Sequence, residues 1–380
     1  MKHVGRRTFM VAMSSVVVVG ILSLSLVASS ESAATDRVPR FCFIQGIAAD
    51  GPHLWVSGCV FAYQSVFAPR RHAIVELNTS NGTLVRVVRD RDAGNDGPAG
   101  IAVSGTHVWV ANGDGDSVTE LNANNGDLVR LINAKADHFN SPWQVVANRR
   151  HVWVLSGGDW GVTELNARNG TVVRVISSNA KWWIGINSML LSGSHLWLTS
   201  GSGLGDVVEL NADSGSLIRV ISGKRGGFNS ASSIALRGTR LWVTSDEGPV
   251  SRVPLADGDN HFPGGSVTEL NAKDGVPVRQ ITAKADEFNG TQGIAVSRSR
   301  VWVANAQNGL VTELDAKTGS LVRVLPAKAG DDGGPSEVLL NGSDVWVVNA
   351  VQVGGGCCDV WAAALSEWNA NTGSLVRVVK

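Results

Sequence analysis

The chain has no net charge, since 33 basic residues balance 33 acidic ones over 380 positions. It also has no basic stripe, which argues against nucleic acid as a partner, because such partners need a concentrated positive face. No Ser or Cys with a fixed partner joins His138 or His261 in a nucleophilic set, so no catalytic residue is assigned. Three acidic clusters stand out: Asp90 to Asp96, Asp114-Gly115-Asp116, and Asp257-Gly258-Asp259-Asn260-His261. None has the calcium-loop spacing with its terminal Glu, so they read as solvated turns, with no metal and no cofactor implied. Cysteine is scarce, four residues in all, too few for a disulfide-dense scaffold and enough for two bridges.

What is present is a frame repeated seven times. Trp55, Trp109, Trp153, Trp197, Trp242, Trp302 and Trp346 are each followed by one Glu (76, 120, 164, 209, 269, 313, 367). An Arg follows each Glu by ten residues (86, 130, 174, 219, 279, 323, 377), and the next Trp stands 23 residues beyond the Arg. A repeat of about 44 residues built of short strand-like runs marks the blades of a propeller. In residues 99–132 the runs Gly100 to Val103, His107 to Ala111, Val118 to Asn122 and Leu128 to Ile132 predict four antiparallel strands, A to D, joined by hairpins. The expected fold is all-β, a seven-bladed β-propeller with four strands per blade, in one domain over residues 35–380.

In a hairpin centred near Asn125, Glu120 lies opposite Arg130 and Val118 opposite Ile132. One active site would need one such pair, and seven copies point to scaffold. A cross-strand ion pair on the surface is worth roughly 0.2–1 kcal/mol. The repeated Trp reads as the side chain that packs one blade on the next, and His53, His107, His151 and His195, just before strand B, read as turn packing.

Residues 1–34 read as an export signal. Lys2, Arg6 and Arg7 precede an acid-free apolar segment, 11–28, and the small residues Ser32-Ala33-Ala34. Gly5 to Met10 resembles the twin-arginine motif; an ordinary secretory signal and an uncleaved anchor are the other readings. The expected location is exported, with membrane contact only through this segment.

Export favours disulfides. Cys42 and Cys59 flank strands A and B of blade 1, and Cys357 with Cys358 follows strand B of blade 7. All four fall on the face carrying the D–A and B–C connections, on blades that become neighbours when a ring closes. A clasp between these blades is expected; the alternative pairs Cys42 with Cys59 and Cys357 with Cys358.

The same face carries the length variation. Trp-to-Glu spacing is 11 or 12 residues in four units, 21 in units 1 and 7, and 27 in unit 5. Variable loops on a rigid scaffold are where binding usually resides. Polar residues at the entry to strand A (Gln45, Gln144, Gln292, Glu337) and at the exit of strand B (Asn112, Asn305, Asn349) would ring a central mouth suited to a weakly polar ligand, or would hold water. Trp143, Trp160 and Trp182 form an aromatic candidate on units 3 and 4. Trp183 instead stands where Phe41, Phe139, Phe228 and Phe288 stand in other units and reads as a packing plug.

The strands Gly293 to Val296 and Val301 to Asn305, with 311–325, resemble YVTN-type and NHL-type propeller repeats. That resemblance implies a scaffold for protein or ligand binding and carries no catalytic residue. Glu313 to Gly319 is similar to a turn of pyrroloquinoline quinone dehydrogenase propellers, which also carry adjacent cysteines. Those have eight blades and a Trp where Arg323 stands here. The expected function is an exported, non-enzymatic scaffold for a protein, peptide or glycan. The alternative is a propeller enzyme, quinone-dependent or streptogramin-lyase-like.

Overall fold

The structure is a computed structural model that describes residues 38–62, 69–89, 96–133, 139–158, 161–177, 183–201, 205–247, 265–282, 288–327, 334–353 and 360–380. Contacts divide the chain into 1–38 and 39–380; the description below concerns the second part. Trp160, Trp182, Cys357, Cys358, His138, residues 90–95 of the first acidic cluster, the 257–261 cluster and residues 1–37 lie outside the described residues. Among those described, no helix is long and apolar enough to cross a membrane.

The described residues form 28 strands and one helical turn, Gly223–Gly226. Unit 1 comprises Phe41–Asp50, His53–Phe61, Arg70–Asn78 and Leu84–Arg89, and unit 2 comprises Pro98–Ser104, His107–Asn112, Ser117–Asn122 and Leu128–Asn133. Later units span 142–176, 186–222, 229–282, 291–326 and 335–379. Units 2 to 6 are separate four-stranded antiparallel sheets, while units 1 and 7 are joined into one eight-stranded sheet. First strands of successive units touch, and the first strand of unit 7 returns to that of unit 1. The fold is all-β and propeller-like.

The hairpin register follows the expected one: Glu120 pairs with Arg130 and Val118 with Ile132, and the other six Glu–Arg pairs are aligned in the same way. Trp109 is fully buried and packs on Phe139, Val145, Val152 and Val154 of unit 3. Truncating such a side chain costs about 3–5 kcal/mol. The plug position is equally buried, with Trp183 at 2% and Phe228 at 1% exposure. Fourth strands are outermost, and Leu128 and Val129 are exposed there.

The repeated carboxylates sit in a different environment from the surface pair that the hairpin pattern suggests. All but Glu367, at 2%, are fully buried, and six of the seven lie between two basic side chains, an Arg with either a His or a second Arg. Arg130 Nε lies 2.6 Å from one oxygen of Glu120 and His107 Nδ1 lies 2.7 Å from the other. His53, His151 and His195 do the same in units 1, 3 and 4, and Arg240 and Arg300 take the His position in units 5 and 6. The histidines are thus carboxylate partners as well as turn residues. In unit 7 that position is Asp344, and the carboxyl of Glu367 is raised by burial, lowered by Arg377 and raised again by Asp344.

Each of these arginines also reaches the next unit. Arg86 donates from Nη2 to the Asn124 carbonyl at 2.9 Å, Arg130 to Arg168 at 2.9 Å, and Arg174 to Asp213 at 2.8 Å. The series continues through Arg219, Arg279 and Arg323. It closes when Arg377 donates to the Ser80 carbonyl of unit 1 at 2.8 Å. The receiving turn needs glycine: at Gly126 φ is +77°, and an added Cβ would stand 2.6 Å from Arg86 Cδ.

The expected disulfide clasp between blades is not how the ends meet. Cys42 is bonded to Cys59 within unit 1, across 17 residues of sequence, with Cα atoms 5.3 Å apart. The first two strands of unit 1 are hydrogen-bonded neighbours, Phe43 facing Cys59, which brings these two thiols together within one hairpin. Closure instead uses the long third strand of unit 7, whose Ala363 pairs with Phe41. Ala362 from that strand packs on the buried Cys42–Cys59 bond, and Asn341 donates to the Gly51 carbonyl at 2.8 Å. A bridge closing a short loop is worth about 2–3 kcal/mol by the chain-entropy model. Cys42→Ser/Cys59→Ser should therefore lower the denaturant-unfolding free energy by that amount under oxidising conditions, and reductant should have the same effect on the wild type. A larger loss would show that more than one local bridge has gone.

Candidate functional site

The polar positions at the entry to the first strands fall into two places. Gln292 of unit 6, Glu337 of unit 7 and Gln45 of unit 1 lie on three consecutive first strands that touch one another. Gln45 and Gln292 are exposed and Glu337 is half-buried. The close approach depends on Gly293, where a Cβ would stand 2.7 Å from Glu337 Cα. Glu337 accepts the Ile47 backbone N–H of unit 1, yet burial raises its carboxyl from 4.5 to about 8. It is thus a protonated, uncharged acid at neutral pH. Gln144 is apart from this group, on unit 3, with its α-carbon against Gly100. Its Oε1 is shielded from solvent and has no hydrogen-bond partner among the described residues.

Other polar groups near these strands are used by the scaffold. Thr244 Oγ1 donates to the Gln292 carbonyl at 2.9 Å, Ser232 Oγ to the Thr291 carbonyl at 2.8 Å, and Asn187 Nδ2 to the Ala231 carbonyl at 3.1 Å. These bonds stitch one unit to the next and leave fewer groups for a ligand.

Asn112, Asn305 and Asn349 are fully buried and do not face a mouth. Asn112 Nδ2 bonds Ser117 and Thr119, Asn305 Nδ2 bonds Thr312, and Asn349 Nδ2 bonds Ser366. Each ties the second strand of its unit to the third. Trp143 is half-buried against the core shared by units 3 and 4, so much of its ring is occupied.

One grouping joins two of the acidic clusters, those ending at Asp96 and starting at Asp114, to a histidine that the sequence did not single out. His72, Asp96 and Asp114 bring a nitrogen and two carboxylate oxygens within 4.8 Å of one another. They come from the third strand of unit 1 and two separate connections of unit 2, so no motif spacing exposes them. The two acids are exposed, and His72 Nδ1 accepts the Gly97 N–H at 3.0 Å, which fits a structured turn.

Comparison with known proteins adds the fold and nothing finer. No protein-family model matches the chain, so the similarity to YVTN and NHL repeats is one of strand motif. No curated protein matches either. Among solved structures, the Kuenenia stuttgartiensis hydrazine synthase is similar at a TM-score of 0.61 with 16% identity, covering 81% of this chain and 92% of that one. The computationally designed Ika8 protein is similar at a TM-score of 0.54 with 12% identity, covering 86% of this chain and 98% of that one. At such identities the likeness is one of architecture, and it supports a propeller-like fold.

Proposed function

We propose that the chain is an exported seven-bladed β-propeller that binds a protein, peptide or glycan on the face carrying the D–A and B–C connections. The seven-fold count rests on the seven Arg-to-turn hydrogen bonds that run unit to unit and return to Ser80. Export rests on the N-terminal segment 1–34, and the Cys42–Cys59 bond is consistent with an oxidising compartment. The observation that carries the binding reading is the group Gln292, Glu337 and Gln45. It offers two exposed amides and a neutral carboxyl on adjacent strands, the carboxyl accepting the Ile47 N–H. Hydrogen-bonding groups without net charge on neighbouring strands suit hydroxyl-rich or amide-rich ligands.

The test is a glycan and peptide array probed with the full chain, followed by affinities for Gln45→Ala, Gln292→Ala and Trp143→Ala. One or two of these should weaken binding by roughly 1–3 kcal/mol with melting nearly unchanged. Equal affinity in all three would overturn this site. A second reading, an enzyme, has one observation in its favour: a carboxyl protonated at neutral pH is the form in which a general acid acts. An absorption spectrum of the purified protein checks for a bound quinone.

A further inference from the structure

On the opposite face, where the A–B and C–D turns lie, a cleft of about 390 Å³ opens between units 5 and 6. Arg237 comes from the A–B turn of unit 5 and Arg298 from that of unit 6; Trp242 and Ser297 also line the cleft. Both arginines are exposed, and neither has an ion-pair partner among the described residues. Arg240 spans the cleft wall, donating from Nη1 to Glu269 at 2.8 Å and to the Ala316 carbonyl of unit 6 at 2.9 Å. Among the described residues no Asp or Glu lines the cleft.

The repeated carboxylate frame makes this position electrically distinct. In units 1 to 4 each buried Glu is held by one Arg and one His, so the excess positive charge there depends on His protonation. In units 5 and 6 both partners are Arg, and each triad carries a permanent net positive charge. Unit 7 places Asp344 at the same position and inverts the sign. Asp315 accepts from Thr318 and lies 3.3 Å from Arg300, so it balances the extra positive charge of the unit 6 triad. Two guanidinium groups with no ion-pair partner among the described residues therefore line a cleft backed by the cationic triad of unit 5, while Asp315 offsets the charge of the unit 6 triad. The adjoining cleft, about 330 Å³ between units 4 and 5, differs because its Arg219 is bound to Glu209 and to the Lys273 carbonyl.

We propose that the cleft between units 5 and 6 binds a tetrahedral oxyanion, phosphate or sulfate, free or as an ester on a larger molecule, with Arg237 and Arg298 as its two anchors. Planar guanidinium groups donate paired N–H bonds to such oxygens, and a volume near 390 Å³ accommodates a phosphorylated or sulfated sugar as readily as the bare ion. The site is independent of the binding face proposed above.

The experiment is isothermal titration of the full chain at low ionic strength with inorganic phosphate, inorganic sulfate and glucose 6-phosphate. Saturable binding of at least one probe is expected. Arg237→Gln/Arg298→Gln should weaken it roughly tenfold or more. Arg237→Lys/Arg298→Lys should weaken it less, because charge is kept and the fork is lost. Arg149→Gln/Arg150→Gln, on the same face of unit 3, should leave it unchanged, and melting curves check that all three variants fold. Tighter binding of the sugar phosphate assigns an ester as ligand, and equal binding assigns the free ion. Absence of saturable binding for every probe, or equal weakening in the unit 3 variant, would overturn the proposal.

Discussion

Replacing Glu164 by Gln should lower the unfolding free energy by about 3–5 kcal/mol, the range for breaking a buried ion pair by removing one partner. The carboxylate is fully buried and lies 2.7 Å from His151 Nδ1 and 2.8 Å from Arg174 Nε. A Gln amide offers one acceptor oxygen where the carboxylate presents two, so one of its two neighbours faces an NH₂ group at a carboxyl position that is itself fully buried. The strand-pair pattern, read as a surface ion pair, implies a loss of at most about 1 kcal/mol. Urea unfolding of the variant separates the two values. A loss near the lower figure would show that solvent reaches Arg174, which is 28% exposed, well enough to replace the carboxylate.

Stability should fall as pH rises from about 5 to about 9, and Glu337→Gln should remove most of that slope. The folded carboxyl titrates near 8 against an ordinary 4.5. The folded state therefore binds a proton that the unfolded state has released. The stabilisation is complete below the ordinary value and is lost as pH climbs through about 8. By linkage this contribution is at most about 5 kcal/mol. Denaturant unfolding at pH 5 and pH 9 measures it in both proteins. Equal slopes would mean that Glu337 is ionised in the folded state.

The frame of Trp, Glu and Arg was legible because it is local. Strand alternation, turns rich in Gly and Asn, and a ten-residue Glu-to-Arg spacing specify one hairpin register, and Glu120 opposite Arg130 follows from it. The plug at Trp183 was legible because five units carry an aromatic at one position. Local spacing said less about depth. Asn112, Asn305 and Asn349 look like mouth residues by position, yet one strand over they meet Ser or Thr and are buried.

The amino-acid sequence by itself determined the all-β class, the repeat, the strand register and the packing role of the Trp. The class, repeat and register depend on residues within one unit of about 44, where turn chemistry and short strand-like runs leave one solution, and the packing role of the Trp was read from its return in every unit. Only the tertiary structure decided how the ends meet, which cations grip the buried carboxylates, and that Arg237 and Arg298 share a cleft. It also decided the protonated state of Glu337, held between units 7 and 1. The first and last depend on groups brought together by ring closure, such as Arg377 with Ser80, which lie 297 residues apart, while the cleft needs neighbouring units side by side and the grip on each carboxylate needs its depth in the unit. Their contact energies depend on burial and on the direction of approach, and neither is written in spacing.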